Sequence, residues 1–167
     1  MIRKASALLG SAIFLVIAPG FVAVLVPRWI SNWRMEAPFF GVRLFRIAGG
    51  LLIALAALGL LDSFGRFALQ GEGTPAPVYP TRRLVVTGLY RHVRNPMYLA
   101  VVSAIFGQGL LFGNANLLAY GAMVWPLFHL FVLLYEEPAL RAAYGPEYAA
   151  FCASVRRWIP RLTPWRQ

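Results

Sequence analysis

The chain has 167 residues, of which 59% are hydrophobic and only 13% are charged. Soluble domains carry about 25% charged residues, so this composition excludes an ordinary water-facing surface. The formal net charge of +10 would suit nucleic acid, but in so apolar a chain it favours contact with anionic lipid headgroups instead. The sequence therefore predicts a single membrane domain over residues 1–167, with membrane lipid and not nucleic acid as its surroundings.

Four stretches are apolar enough to cross a hydrocarbon core, which takes about 20 residues as a helix. In chain order they cover roughly 7–26, 47–64, 97–112 and 117–135. The first follows Arg3 and Lys4 as a signal peptide would, but its uncharged run is too long for a signal core, and we expect it to be retained. The last two predict a helical hairpin around the turn-forming letters GNAN at 113–116. The predicted fold is all-α, an integral membrane bundle of about four transmembrane helices.

The distribution of basic residues predicts the orientation of this bundle. Twelve of the sixteen Lys and Arg residues lie at the N-terminus, in the connection over 65–96 and in the C-terminal tail, whereas the first connection carries four. Cytoplasmic loops are the ones enriched in Lys and Arg. We therefore expect a multi-pass protein with both termini in the cytoplasm, in a bacterial inner membrane.

The tail after the fourth span predicts an amphipathic cytoplasmic helix that lies on the membrane or over the preceding loop. Its apolar residues recur every three or four positions, at Leu140, Tyr144, Tyr148, Phe151 and Val155. Gly145 and Pro146 are expected to interrupt it.

The stretch GLYRHVRNPMYLA, at 88–100, sets a cationic cluster against an uncharged run that continues to Tyr135. Pro96 suits the first turn of the third span and Asn95 its N-cap. The start of that helix then offers free N–H groups to an anion, and Arg94 adds a fork-shaped donor for a carboxylate. The same cations also suit a simpler role as anchors to lipid headgroups.

Glu136 and Glu137 end the same uncharged run, so a two-helix hairpin returns them to the membrane face that carries Asn95. Acids at a membrane boundary are costly enough to indicate function, although an acidic first helical turn is also favoured by the helix dipole. Together the two ends of the hairpin predict a site with an anion-binding side and a carboxylate for hydroxyl or ammonium groups.

The remaining polar groups divide into candidate chemistry and packing. Histidine is a common general base in enzymes, so His92 could serve in that role, or it is a solvent-facing loop histidine. His129 is expected to hydrogen-bond between helices, and Asp62 and Gln108 are candidates to line a substrate cavity. Cys152 is the single cysteine, so no internal disulfide and no cysteine metal site are predicted, and no metal is expected.

Short motifs follow one another in a fixed order between residues 80 and 160. They are GLY at 88–90, RNPMY at 94–98, EEPAL at 136–140, YG at 144–145, EY at 147–148 and VRRWIP at 155–160. As a set, this order and spacing resemble the isoprenylcysteine carboxyl methyltransferase and phospholipid methyltransferase group of integral membrane enzymes.

The resemblance implies a methyltransferase that uses S-adenosyl-L-methionine, held in a cytoplasmic pocket made by the last two spans and the C-terminal segment. Matched residue by residue, the positions that would contact the cofactor are Arg82, Arg83, Leu84, Val85, Tyr90, Asn95, Pro96, Met97, Tyr98 and Glu136. The candidate catalytic side chains beside them are His92, Arg94 and Glu137.

Three positions differ from the family's pattern. Asn95 stands where the family usually has histidine, Ala100 where it has glycine, and Val132 where an arginine associated with substrate is common. We therefore expect methyl transfer in general, to an O, N or S atom of a lipid-like or amphipathic acceptor, more than carboxyl methylation of a prenylated protein. The alternatives are a membrane reductase that uses a nicotinamide cofactor and a non-enzymatic membrane scaffold.

Overall fold

The computed structural model describes Ile13 and residues 17–67 and 84–166. Over these residues the chain forms five main helices and no strand: α1 (Ile17–Ser31), α2 (Leu44–Arg66), α3 (Pro96–Phe112), α4 (Ala115–Phe131) and α5 (Glu137–Ser154). A π-helical turn, Val132–Glu136, joins α4 to α5, and 3₁₀ turns occupy Phe39–Gly41 and Gly88–Arg91. The predicted all-helical class is confirmed for this part of the chain.

Among the described residues, two helical stretches are long and apolar enough to cross a membrane. They are α2 and the continuous run Ala115–Ser154, which contains α4 and α5, whereas α1 and α3 are apolar but shorter. The predicted spans 47–64, 97–112 and 117–135 fall inside these helices. Most of the first predicted span before residue 17 lies outside the described residues.

A tight turn between α3 and α4 confirms the predicted hairpin. Gly113 has a φ of 72°, and a Cβ atom there would lie 2.3 Å from the carbonyl oxygen of Ala37, so only glycine fits. The Asn114 side chain accepts a hydrogen bond of 3.1 Å from the N–H of Leu117, which caps the start of α4. Its amide donates to Glu36 Oε1 at 2.5 Å, so the first connection is tied to this turn.

The long helix α2 has two different faces. Its outward face exposes residues at helical spacing, namely Leu44, Ile47, Leu51, Leu55, Leu58 and Leu61, which suits lipid and not water. Its inward face packs closely on α3 through glycines: a Cβ on Gly49 would lie 2.5 Å from the Leu111 nitrogen, and one on Gly107 2.8 Å from Ile53 Cγ1. Small residues at such a crossing allow the backbones of membrane helices to approach.

The helix α1 is bound to the bundle by polar side chains that reach its π-helical turn, Phe21–Leu25. Gln108 donates to the Ala23 carbonyl at 2.7 Å, and Tyr120 donates to the Val22 carbonyl at 3.0 Å. Gln108, a candidate to line a substrate cavity, is buried, and its amide holds α1 against α3.

After α5 the chain turns back as an irregular segment over 156–165, without helix or strand, which we call the C-terminal strap. It runs beside 91–95 and is held there by hydrogen bonds from Arg94 N to Arg156 O, from Arg161 N to His92 O, from Trp165 N to Arg91 O and from Asn95 Nδ2 to Arg157 O. These bonds satisfy backbone groups that no helix serves. The strap thus fixes the segment that leads into α3.

The amphipathic character of α5 is as predicted. Tyr148, Phe151 and Val155 are buried and pack against Leu84 and Val86, so this helix lies over the loop before α3. Gly145 leaves the helical backbone region, with φ 49° and ψ −121°, which confirms the interruption expected before Pro146.

Candidate active site

One cavity of about 480 Å³ lies among all five helices and the segment 84–95. Its walls are mostly apolar, with a few polar groups, which is the usual composition of a small-molecule site. The described residues that line it include Ala18, Val22, Phe64, Phe67, Leu84, Val85, Tyr90, Arg94, Asn95, Met97, Tyr98, Phe128, Phe131, Tyr135, Glu136, Leu140, Tyr144 and Tyr148. α4 contributes aromatic rings, and the segment 84–95 contributes Tyr90, Arg94 and Asn95 as polar groups.

Most of the residues predicted to contact a cofactor meet at this cavity. Leu84, Val85, Tyr90, Asn95, Met97, Tyr98 and Glu136 all line it. Pro96 is buried at the start of α3 but does not form part of the wall. Arg82 and Arg83 lie outside the described residues.

Glu136 is the acidic group of the cavity wall. Its Oε2 accepts a hydrogen bond of 2.6 Å from the Tyr98 hydroxyl, and among the described residues it has no ion pair. It ends the π-helical turn Val132–Glu136, and such turns alter which side chains of a helix face inward. The carboxylate therefore keeps acceptor capacity for a hydroxyl or cationic group of a ligand.

Tyr90 lies deep in the wall formed by the 3₁₀ turn before α3. It is buried, and its ring makes an edge contact with Phe67 at 5.5 Å between centroids. Burial raises the pKa of the Tyr90 phenol well above its usual range, and the nearby negative charge of Glu136 acts in the same direction. The phenol therefore stays protonated, as a neutral donor inside the cavity.

Asn95 occupies the N-cap position of α3, but its side chain does not cap the helix. The amide instead donates to the Arg157 carbonyl of the C-terminal strap at 3.2 Å. The expected capping bond is absent: capping would use the side-chain oxygen of Asn95 as an acceptor, whereas the bond that forms uses the amide Nδ2 as a donor to the strap. Asn95 both lines the cavity and fastens the strap.

Arg94 and Glu137 belong to a buried ion cluster. Glu137 receives two hydrogen bonds from Arg157, at 2.6 and 3.0 Å, and one from Arg94 at 3.1 Å. Glu137 is buried and absent from the cavity wall, whereas Arg94 reaches the wall and also contacts Cys152. Both oxygens of Glu137 are already used, and Glu137 holds Arg94 in position at the wall. The catalytic roles expected of Arg94 and Glu137 stay predictions.

His92 does not line the cavity. Its Nδ1 lies 2.8 Å from the Arg161 carbonyl oxygen, and its ring borders a separate groove that also contains Asp62 and Arg66. The 3₁₀ turn Gly88–Arg91 places His92 on the groove side, and its role as a general base stays a prediction. Asp62 likewise lines the groove and not the cavity.

Two residues of the C-terminal strap escaped the sequence-based prediction. Arg157 pairs with Glu137 at 2.6 Å. Trp158 donates to His129 Nδ1 at 2.9 Å and packs on Trp125 with ring centroids 4.6 Å apart, and its ring also meets Tyr98 at 6.4 Å. The motif VRRWIP at 155–160 contains both residues, but the sequence alone does not indicate their partners. The expected interhelical role of His129 is in fact a bond to the strap.

A helical bundle with a leucine-rich outer face, enclosing an aromatic cavity with one unpaired acid, has the features of a membrane enzyme. A comparison with protein families agrees: the phospholipid methyltransferase family matches residues 44–147. This is more than half of the chain, so the protein belongs to the phospholipid methyltransferase family. The match covers α2, α3 and α4, together with most of the cavity wall.

Two curated relatives match the chain. The chain is 29% identical over 107 residues, 64% of its length, to "Phosphatidylethanolamine N-methyltransferase 1" of Vanderwaltozyma polyspora. It is 29% identical over 119 residues, 70% of its length, to "Cobalt-zinc-cadmium resistance protein CzcN" of Cupriavidus metallidurans. The matched parts are 12% and 52% of those proteins, so the chain spans only a part of each. No solved structure matches the chain significantly.

Proposed function

We propose that this protein is an S-adenosyl-L-methionine-dependent methyltransferase that acts on a lipid-like or amphipathic acceptor at the membrane. The observation that carries the proposal is the convergence of seven predicted cofactor residues on one cavity, with Glu136 as its carboxylate. Membership of the phospholipid methyltransferase family supports methyl transfer as the reaction class.

The cavity has the size and chemistry that the cofactor requires. About 480 Å³ lies within the usual range for small-molecule sites. The cofactor combines a purine, ribose hydroxyls and a charged amino-acid end, which suit aromatic walls, a free carboxylate and a cation. We assign the hydroxyl or ammonium contacts to Glu136, the purine contacts to the apolar segment at Leu84 and Val85, and the carboxylate contact to Arg94.

S-adenosyl-L-methionine supplies an electrophilic methyl group on a sulfonium centre, and the protein's residues act by positioning and by excluding water. Tyr98 holds Glu136 in one rotamer through its 2.6 Å bond. Glu137 and Arg157 hold Arg94 at the wall. The C-terminal strap fastens Asn95, so the entrance to α3 keeps one conformation.

The apolar side of the cavity suits the acceptor. Val22 from α1 and Phe128 and Phe131 from α4 form this side, and Phe131 is also exposed on the outer surface. An acyl or prenyl chain therefore finds a continuous apolar path between the outer surface and the cavity. In the full topology that we propose, four spans place both termini and the cavity's polar end in the cytoplasm.

The test is a calorimetric titration of the purified protein in detergent with S-adenosylhomocysteine. We expect saturable binding to the wild type and a dissociation constant at least about tenfold higher for Glu136→Ala, since a hydrogen bond to a charged group contributes about 1.5–3 kcal/mol. Glu147→Ala is the matched control, because Glu147 is exposed on α5 and lies outside the cavity wall.

Absence of saturable binding to a folded wild type would refute the proposal, as would equal losses in the two variants. Saturable binding of NADPH in place of S-adenosylhomocysteine would favour a membrane reductase.

A further inference from the structure

A second concave site lies on the outer side of the 3₁₀ turn Gly88–Arg91. This groove is lined by Leu55, Leu58, Gly59, Asp62, Arg66, Thr87, Gly88, Leu89, Arg91, His92 and Pro164. The turn separates the groove from the cavity: Tyr90 faces the cavity, whereas Leu89 and Arg91 face the groove. None of its described residues serves the methyl-transfer site proposed above.

The groove has an excess of positive charge. Asp62 neutralises Arg66, with 2.7 Å between the charged atoms. Arg91 makes no ion pair with any described residue; its Nε donates to the Trp165 carbonyl at 2.5 Å. The guanidinium is therefore held in place by the C-terminal strap while its charge remains uncompensated. An arginine fixed in this way is a preorganised donor for phosphate.

His92 adds a further polar edge. Because a carbonyl oxygen only accepts hydrogen bonds, the Nδ1 of His92 must carry the proton that it shares with Arg161. The ring is thereby fixed at the groove; in this tautomer its second nitrogen is an acceptor, so the phosphate contact is left to the arginines. Among the described groove residues, two arginines stand against the single carboxylate of Asp62.

The apolar edge of the groove distinguishes a phospholipid headgroup from a free phosphate ion as the ligand. Leu55 and Leu58 border it and are 65% and 63% exposed, and they continue the leucine-rich outer face of α2. A free phosphate ion would leave this edge unused, whereas a phospholipid would lay its acyl chains along the leucines. We propose that the groove binds an anionic phospholipid, with the headgroup phosphate at Arg91 and the acyl chains against α2.

The backbone at Gly88 is shaped to hold the side chain of Arg66 in the groove. Gly88 has a φ of 55°, and a Cβ atom there would overlap the Arg66 guanidinium at 1.8 Å. Arg66 therefore packs directly against Gly88, and both residues line the groove. The inference depends on membrane embedding and not on the identity of the cofactor, so the two proposals can fail separately.

The test measures the melting temperature of the purified protein in detergent during titration with dioctanoyl phosphatidylglycerol, dioctanoyl phosphatidylcholine or glycerol 3-phosphate. We expect saturable stabilisation by phosphatidylglycerol alone. Arg91→Gln should weaken its apparent affinity about fivefold, the effect of one basic residue near an anionic membrane surface. Arg156→Gln, which alters an exposed arginine outside the groove, should bind like the wild type.

A second pair of variants avoids any dependence on the folding of Arg91→Gln. Leu58→Glu places a carboxylate at the exposed edge of the groove and should weaken phosphatidylglycerol binding at least as much. Ile47→Glu, on the same outward face but away from the groove, is its control. Equal stabilisation by both lipids, stabilisation by glycerol 3-phosphate alone, or equal losses in a variant and its control would each overturn the proposal. Titration of the same samples with S-adenosylhomocysteine reports separately on the methyl-transfer site.

Discussion

Glu136 and Glu137 are adjacent in the chain but belong to two different environments. Glu137 is enclosed by Arg94 and Arg157, and every oxygen has a partner. Glu136 faces a cavity and has only the Tyr98 hydroxyl as a described partner. One carboxylate thus stabilises the fold, and its neighbour remains available to a ligand. Partners, and not residue type or position in the motif, distinguish a structural acid from a binding acid.

The ion cluster should give the largest effect on stability. Glu137→Ala leaves two arginines without their acid, and removing one partner of a buried pair costs about 3–5 kcal/mol. Because Arg157 is partly exposed, we expect a loss near 3 kcal/mol in the free energy of unfolding, measured by denaturant titration in detergent. Glu136→Ala should lose much less. A smaller loss for Glu137→Ala than for Glu136→Ala would reverse the comparison.

Tyr98→Phe should weaken ligand binding. The change removes the hydroxyl that orients Glu136 at 2.6 Å, and a hydrogen bond to a charged group contributes about 1.5–3 kcal/mol, part of which is lost from ligand binding. We expect the dissociation constant of S-adenosylhomocysteine to rise about fivefold in calorimetry. Tyr120→Phe, which removes a hydroxyl that bonds to α1, is the matched control and should leave binding unchanged while lowering the melting temperature.

Asn95→His should have the smallest effect. Asn95 lines the cavity of Glu136 and donates to the carbonyl of Arg157, the residue that pairs with Glu137, and histidine can supply the same kind of donor. A ring N–H can donate to the Arg157 carbonyl as the amide does. We expect the affinity for S-adenosylhomocysteine to stay within about threefold of the wild type, a change below about 0.7 kcal/mol. Asn95→Leu, which has no donor, should weaken both the strap and the binding. Complete loss of binding in Asn95→His would mean that the wall requires the amide itself.

The features that the sequence predicted are those set by local chemistry. The hairpin turn follows from Gly113 and Asn114, and the apolar face of α5 follows from helical spacing, so both can be predicted from the amino-acid sequence. The lining of the cavity by Tyr90 and Glu136 follows from a hairpin that returns both ends to one side. Their roles in binding a cofactor remain predictions.

The features that it missed depend on contacts between distant parts of the chain. His92 was expected at the site because it lies beside Arg94, but a 3₁₀ turn one residue earlier directs it into the groove. Arg157 and Trp158 were not recognised because their partners, Glu137 and His129, lie 20 and 29 residues away. No local periodicity records such pairs, and the bond from the Asn95 amide to the Arg157 carbonyl is another contact of this kind.

The C-terminal strap also has a consequence for biosynthesis. The residues that hold Arg91 in place lie 74 positions later in the chain, and ribosomes add about 5–20 residues per second. The segment that leads into α3 is therefore synthesised about 4–15 s before the strap residue that holds Arg91. During this interval the hydrogen bonds from the strap to Arg91 and His92 cannot form. The contacts that fix the segment leading into α3 are thus among the last to form during synthesis.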